Sequence, residues 1–315
     1  MRKPILSIKI SDELKGKYKN EIEELQNLLL GNGYDVSVDG LLGPNTDAAI
    51  RAFQNKTPTL VADGWVGQNT WKALKNEQIV NYNGPLGIRM TDYFLENDEY
   101  FRDIVPKDTV YLHHTAGGGN AYFVTQSWEN DKRRNGESLE VATAFIIARK
   151  SRSRNPKFNC EEGEIFRAFP EKYWAHHLGL HHPNNTELNA KSIGIEICSY
   201  GGLNLSSKGH YTTTYGNVID EDEVYDHGTE WRGYRYWHKY SDEQIESTRK
   251  LLIALRDKFN LYFQEEFNED WVEFKAKAPF KGAPGIWTHT NVRSDKFDCF
   301  PQPELIAMLN SLKNY

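Results

Sequence analysis

Histidine and carboxylate side chains in two distant segments of the chain have the types and spacing of a hydrolytic metal site. The first segment holds His113 and His114, and the second holds His289 and, nine residues later, Asp298. Two imidazoles and one carboxylate fill three positions around a zinc ion and leave the fourth open for water or substrate. Zinc held in this way favours hydrolysis of an amide or ester, because it acidifies water and polarises a carbonyl.

Two predicted strands have to bring these side chains together. Residues 110–114 and 286–289 are apolar, β-branched or aromatic stretches of the kind that form strands. Neighbouring side chains along a strand point to opposite faces of the sheet. Only one of His113 and His114 can therefore face the metal.

The order of the predicted elements in residues 88–315 indicates a mixed β-sheet flanked by helices, in the α/β class. Ser241 and Gln244 predict a capping box at the start of one long helix. The predicted elements are strands near Val110, Val141, Ile165, Ser192 and Ile286, and helices at residues 121–133, at residues 241–260 and near Glu304.

Four short segments occur in an informative order. They are residues 113–117 (His-His-Thr-Ala-Gly), 174–179 (Trp-Ala-His-His-Leu-Gly), 192–197 (Ser-Ile-Gly-Ile-Glu-Ile) and 289–298, which starts with histidine and ends in Lys-Phe-Asp. The ordered set resembles the zinc-dependent N-acetylmuramoyl-L-alanine amidase family, which shares its fold with the peptidoglycan recognition proteins.

The resemblance implies a role for individual residues. His113, the first histidine of the pair, and His289 match two metal ligands, and Asp298 matches the third. Lys296, two residues before that aspartate, matches a catalytic lysine. Glu196 matches an acidic residue that acts on the attacking water in one branch of the family. The resemblance therefore implies Zn²⁺ as cofactor and bacterial peptidoglycan as partner.

Alternatives to several of these roles remain open. Cys299 could serve as a thiolate ligand in place of the aspartate before it. His176 corresponds to a substrate-binding position in relatives, although His177 could take that position instead. A structural ion pair would also explain the carboxylate of Glu196, and a solvated loop would explain Lys296.

An internal repeat near the N-terminus is independent of the metal site. Residues 39–46 (Asp-Gly-Leu-Leu-Gly-Pro-Asn-Thr) are echoed by residues 63–70 (Asp-Gly-Trp-Val-Gly-Gln-Asn-Thr). In each copy the glycines permit a tight loop, and Asn and Thr can cap the following helix. The repeat and its apolar helical faces predict a small three-helix domain at residues 18–76, which resembles the peptidoglycan-binding domain found beside many cell-wall hydrolases. Trp65 is a candidate substrate-binding residue in the second loop.

Composition argues against several other classes of protein. The 315 residues carry a net charge of −6 with a pI near 6.0. This charge gives no reason to expect nucleic-acid binding. No apolar stretch approaches the ~20 residues that span a bilayer, so we expect no membrane insertion. Cys160, Cys198 and Cys299 cannot pair completely, and a reduced compartment is the simpler expectation. The sequence gives no indication of the oligomeric state.

Three stretches lie outside a minimal catalytic domain. A linker is predicted around residues 76–85, with the catalytic domain beginning near Ile88. Residues 149–162 form a basic insertion that could meet anionic stem peptides or remain a solvated loop. Residues 203–240 form a second insertion, which is rich in aromatic residues. We interpret it either as the wall of a sugar or peptide groove or as the packing of a long ordered loop.

The resemblance to the amidase family implies a peptidoglycan hydrolase that cleaves the amide between N-acetylmuramic acid and L-alanine. Two alternatives are a non-catalytic peptidoglycan receptor and a zinc endopeptidase that cuts the stem peptide or cross-bridge. The apolar stretch from Ile5 to Ile10 is too short and interrupted to be a signal-peptide core. We therefore expect synthesis in the cytoplasm without a signal peptide and action on the wall after release, as in a phage lysin.

Overall fold

The computed structural model describes residues 4–32, 34–57, 60, 62–75, 82–83, 89–96, 98–133, 136–263 and 277–312. The chain divides into two units, residues 1–80 and 81–315, and each has its own hydrophobic core. The linker predicted around residues 76–85 and the start near Ile88 lie largely outside the described residues. Among the residues that are described, every helix is too short or too polar to cross a bilayer.

Short helices surround the core of the first unit. In chain order they are α1 (Asp12–Lys17), α2 (Lys19–Gly31), α3 (Pro44–Lys56) and α4 (Gln68–Leu74). The three helices predicted from the repeat correspond to α2, α3 and α4. The core also extends to residues before position 18, because Leu6 pairs with Val66 and is fully buried.

Two buried glutamines hold the two Asp-Gly turns of the repeat in the same way. Gln26 in α2 accepts a hydrogen bond from Gly40 N at 2.9 Å, and Gln54 in α3 accepts one from Gly64 N at 2.9 Å. Each glycine has a φ of 72°, a left-handed conformation that favours glycine. Each turn is therefore fixed by a side chain from the helix that precedes it.

The second unit combines strands with helices that follow or flank them. Its strands are β1 (Tyr82–Asn83), β2 (Arg89–Asp92), β3 (Thr109–His114), β4 (Phe145–Ile147), β5 (Ile165–Arg167), β6 (Ser192–Ile197), β7 (Gly202–Leu205), β8 (Tyr211–Thr212), β9 (Val218–Ile219), β10 (Val224–Trp231), β11 (Tyr234–His238) and β12 (Gly285–Thr288). Its helices are α5 (Ala121–Asn130), α6 (Asn185–Lys191), α7 (Asp242–Phe259), α8 (Lys277–Phe280), α9 (His289–Val292) and α10 (Pro303–Ser311).

The main sheet is mixed, as the sequence predicts. Within the described part of the chain its order is β1-β2-β5-β4-β6-β3-β12. The β1–β2 and β4–β5 pairs are antiparallel, whereas β6, β3 and β12 run parallel. Parallel neighbours end at the same edge of a sheet, and ligands in α/β proteins bind outside the carboxyl ends of strands. This edge carries the residues that the sequence singles out.

One predicted strand lies a few residues from its expected place. Val141 was expected in a strand, but it is 40% exposed and forms only an isolated bridge with His176. The strand is β4, which starts at Phe145 and consists of three fully buried apolar residues between β5 and β6. Continuous apolar character marks a strand covered on both faces. The capping box predicted at Ser241 and Gln244 is present at the start of α7.

The second insertion forms a separate antiparallel sheet instead of a long loop. Its strands, all within fully described residues, have the order β10-β11-β7-β8-β9. Aromatic residues favour strands, and glycines with positive φ, such as Gly209 and Gly233, allow the turns between them. Trp237 is completely buried and stacks on Phe300 with ring centroids 4.9 Å apart. Its ring therefore belongs to the core of the unit.

Candidate metal centre

Three ligand atoms meet at the carboxyl edge of the main sheet. His113 is the penultimate residue of β3, and His289 directly follows β12, the parallel neighbour of β3. The Nδ1 atoms of the two histidines lie 3.1 Å apart. Asp298 Oδ2 lies 3.2 Å from Nδ1 of His113 and 2.9 Å from Nδ1 of His289. These three buried residues form a group that could hold a metal ion.

The size and chemistry of this triangle fit zinc. Two nitrogen atoms and one carboxylate oxygen form the ligand set of many catalytic zinc sites. Ligand atoms ~2.1 Å from a tetrahedral zinc ion lie ~3.4 Å from one another, close to the separations observed here. Three protein ligands leave one tetrahedral position for water or substrate, which distinguishes a catalytic site from a structural one.

Protonation of the ligands also suits a metal. Burial lowers the pKa of His113 to about 4, so its imidazole is neutral near pH 7. Burial alone would raise the pKa of Asp298, but the neighbouring His289 and His113 outweigh it and hold that pKa far below its usual range. A neutral imidazole and an ionised carboxylate are the forms that bind a divalent cation.

Further hydrogen bonds orient the two histidines of this candidate site. With Nδ1 of His289 turned to the metal position, Nε2 donates to the carbonyl of Leu178 at 2.8 Å. Nε2 of His113 lies 3.0 Å from Nδ1 of His177, whose own Nε2 lies 2.9 Å from Ser192 Oγ. Hydrogen bonds of this kind fix the tautomer and the ring orientation of metal-bound histidines.

The two histidines of the 174–179 segment occupy different environments. His177 contacts His113, whereas His176, predicted to bind substrate, packs its ring against Phe101 and Trp174. Among the described residues, His176 forms no ring contact with the three ligands. Alternation along an extended segment explains the difference, because adjacent side chains point to opposite faces.

Glu196 lies beside His113 in the sheet. The two residues are paired in the parallel ladder between β6 and β3, so their side chains share a face. Glu196 Oε2 is buried and has no hydrogen-bond partner among the described residues. Burial, reinforced by the charge of Asp298, raises the pKa of Glu196 well above its usual value, while Lys296 opposes the rise. A buried carboxyl group with a raised pKa beside a candidate ligand is typical of a functional site.

Lys296 is half-buried in the loop before Asp298. Its positive charge lowers the pKa of His113 and opposes the rise in the pKa of Glu196. The charge of Lys296 therefore acts on His113 and on Glu196.

His114 and Cys299 lie away from the metal position. Nδ1 of His114 lies 2.9 Å from the hydroxyl group of Tyr240, and the fully buried Cys299 is not part of the group of three ligand atoms found among the described residues. The structure thus brings Asp298, and not Cys299, into the triangle of ligand atoms. His113 rather than His114 occupies the third corner.

The remaining sequence candidates lie elsewhere. Trp65 is in the first unit and exposes 37% of its surface. Asp63 accepts hydrogen bonds from Trp65 N and from Gln54, so this aspartate is occupied by its own turn. In the basic insertion, Arg149 bonds Glu223 and the carbonyl of Lys239, while Lys150 and Arg154 are exposed.

Comparison with known proteins identifies the families of both units. A family described as N-acetylmuramoyl-L-alanine amidase matches residues 103–299, more than half of the chain. A family described as a peptidoglycan binding domain matches residues 18–74. No curated protein matches the chain significantly.

Solved structures resemble the chain at low sequence identity. A mutant of PlyL is 10% identical, with a TM-score of 0.40, and the match covers 72% of this chain and 100% of that chain. A mutant endolysin from Bacillus subtilis is 14% identical, with a TM-score of 0.36 and coverage of 72% and 97%. The amidase AmiD from E. coli, in complex with a substrate, is 16% identical, with a TM-score of 0.32 and coverage of 59% and 61%.

Proposed function

Because this chain belongs to the N-acetylmuramoyl-L-alanine amidase family, we propose that His113, His289 and Asp298 hold the zinc ion with which it hydrolyses peptidoglycan. The activity of the family is cleavage of the amide between N-acetylmuramic acid and L-alanine. The convergence of three buried ligand atoms within 3.2 Å of one another carries the proposal. Bound zinc supplies a Lewis acid, which polarises the amide carbonyl and lowers the pKa of water.

Glu196 is the general base and then the general acid of this mechanism. It shares a face of the sheet with His113, and its Oε2 atom is sheltered from solvent without a protein partner. The carboxylate takes a proton from the attacking water and returns it to the amine of L-alanine as the C–N bond breaks. Burial raises the pKa of Glu196, which favours the protonated form that the carboxyl group needs when it acts as an acid.

Lys296 stabilises the negative charge that develops on the carbonyl oxygen during attack. A cation near the ligands but outside their triangle is suited to this task. His177 holds the ring of His113 in the orientation that presents Nδ1 to the metal position. His176 remains a predicted contact for substrate.

The peptidoglycan-binding unit supplies a second attachment to the same polymer. Linking two sites for one polymer raises the effective concentration of substrate at the catalytic unit. The partly exposed indole of Trp65 is the proposed contact in this unit. Action in the manner of a phage lysin, after release to the wall, stays a prediction from the sequence.

The function is tested by identifying the amino group that is newly released from purified peptidoglycan. We expect new N-terminal L-alanine, lost on chelation and recovered on zinc addition. His113→Ala should remove the activity, whereas His210→Ala should retain it, because His210 is an exposed histidine in the turn between β7 and β8. A different new amine would identify an endopeptidase, and binding without a new amine would identify a receptor.

A further inference from the structure

The hairpin of β10 and β11 contacts the loop that carries the catalytic lysine. This loop, residues 293–300, is called the ligand loop below. Arg232, in the turn between the two strands, donates through Nη1 to the carbonyl of Lys296 at 2.9 Å and also to the carbonyl of Ser294. The guanidinium group of Arg232 therefore bonds the backbone carbonyls on both sides of Asp295.

Aromatic rings of the same sheet hold the middle of the ligand loop. Phe297 has ring contacts with Tyr234 and Trp237, at centroid distances of 5.9 Å and 6.0 Å. Trp237 is fully buried, and its ring also packs against Trp231. These aromatic rings pack against the ligand loop. This favours a packing role for the aromatic residues of the insertion over a role as the wall of a sugar or peptide groove.

Tyr240, two residues after β11, reaches the end of the ligand loop. Its hydroxyl group lies 2.9 Å from Nδ1 of His114, which directly follows the ligand His113 in the chain. Its ring packs against Phe300, two residues after the ligand Asp298. One tyrosine side chain therefore connects the two segments that carry these ligands.

The position of Tyr240 is itself fixed. Its backbone N–H and carbonyl both bond the side-chain amide of Gln302, at 2.7 Å and 3.0 Å. Its ring stacks on Phe300 with centroids 4.5 Å apart and planes 17° apart. A tyrosine held in this way can restrain the groups that bond to its hydroxyl.

We propose that the inserted sheet is a positioning element for the metal centre, with Arg232 placing Lys296 and Tyr240 placing Asp298 and His113. The inference deepens the proposed function and rests on it for the identity of the groups that are positioned. Neither Arg232 nor Tyr240 contacts the reacting atoms in this account. Each acts through the backbone or side-chain neighbour of a site residue.

Two variants, each with a matched control, test the proposal in the full chain. Arg232→Met removes the donors and keeps the aliphatic stem, and its control is Arg235→Met, because Arg235 pairs with Asp226 on the same hairpin. Tyr240→Phe removes only the hydroxyl group, and its control is Tyr225→Phe, because Tyr225 also stacks on Phe300.

Hydrogen exchange in residues 293–300 is the first readout, because it does not depend on catalysis. Arg232→Met should accelerate exchange in this segment and lower kcat by about 10- to 100-fold with little change in KM. Tyr240→Phe should weaken zinc binding, measured with a competing chelator, by about 10- to 100-fold. Excess zinc should restore much of its kcat, a rescue that a merely misfolded variant would not show.

Both outcomes separate this inference from the proposed function. If exchange, zinc affinity and kcat of the two variants equal those of their controls, the positioning role is wrong even though the parent protein is an active amidase. If the parent protein releases no L-alanine, the proposed function is wrong. In that case the exchange of residues 293–300 still decides whether the sheet restrains the ligand loop.

Discussion

Replacement of Glu196 by glutamine should separate activity from stability. Glutamine has nearly the shape of glutamate, but its amide cannot carry a proton between the attacking water and the leaving amine. General acid–base catalysis contributes about 100- to 10,000-fold, so kcat should fall by that factor, or about 3 to 5 kcal/mol of activation free energy. Zinc affinity should change little, because Glu196 is outside the group of three ligand atoms.

The same change should not destabilise the fold. Glu196 Oε2 is buried without a hydrogen-bond partner among the described residues, and burial opposes its ionisation. A neutral amide avoids the cost of burying a charge, so the free energy of unfolding should stay the same or rise by on the order of 1 kcal/mol. The buried carboxyl group of Glu196 is therefore expected to serve catalysis while it lowers the free energy of unfolding.

The assay compares L-alanine release, zinc affinity and thermal unfolding for Glu196→Gln and a control. The control is Glu187→Gln, because Glu187 forms an exposed pair with Lys191 at 2.6 Å, and such pairs contribute little. The reasoning is refuted if Glu196→Gln keeps the kcat of the control. It is also refuted if kcat falls only in proportion to a loss of folded protein.

Three further predictions concern other parts of the chain. Lys296→Met should lower kcat by about 100- to 1,000-fold while zinc affinity is retained, and an equal loss of zinc would contradict its role as a charge stabiliser. Gln54→Ala should lower the stability of the first unit by about 2 kcal/mol in calorimetry of the full chain, because it removes the acceptor of the buried Gly64 N–H and one of the two donors to the carbonyl of Trp65. The control Asn55→Ala changes an exposed residue on the same helix and should leave the stability unchanged. Equal melting temperatures for the two variants would contradict the role of Gln54 in holding the turn. Burial lowers the pKa of Lys107 from 10.5 to about 8, so the folded state binds fewer protons than the unfolded state between these values. The free energy of unfolding of the parent, measured relative to that of Lys107→Met, should therefore rise by up to about 3 kcal/mol as the pH rises across this window. A difference between the two proteins that does not change with pH would contradict this prediction.

The sequence predicts the parts of the fold that local patterns determine. Val110, Tyr111 and Leu112 form an apolar run within β3, and the burial of these three residues follows from that run. The Asp-Gly turns of the repeat and the capping box at Ser241 depend on residues close together in the chain, which is why they can be recognised. The order of the motifs likewise led to His113, His289 and Asp298, which the structure brings together.

Features that depend on distant partners are not visible in the sequence. Gln26 in α2 bonds Gly40 in a turn 14 residues away, and no local pattern indicates that pairing. The inserted sheet was interpreted as a groove wall or an ordered loop, because its strands are short and its aromatic residues suit several environments. The contact of His177 with His113 depends on which face of the extended segment 174–179 meets β3. A shift of one residue in that segment would place His176 against His113 instead of His177.

The zinc content of the purified protein tests the central claim most directly. Metal analysis of the parent, Asp298→Ala and Cys299→Ser proteins would show which side chain completes the site. The account predicts one zinc ion per chain in the parent and in Cys299→Ser, and none in Asp298→Ala, because only the aspartate joins the two histidines in the triangle of ligand atoms. Zinc that persists in Asp298→Ala, or is lost only from Cys299→Ser, would contradict the account.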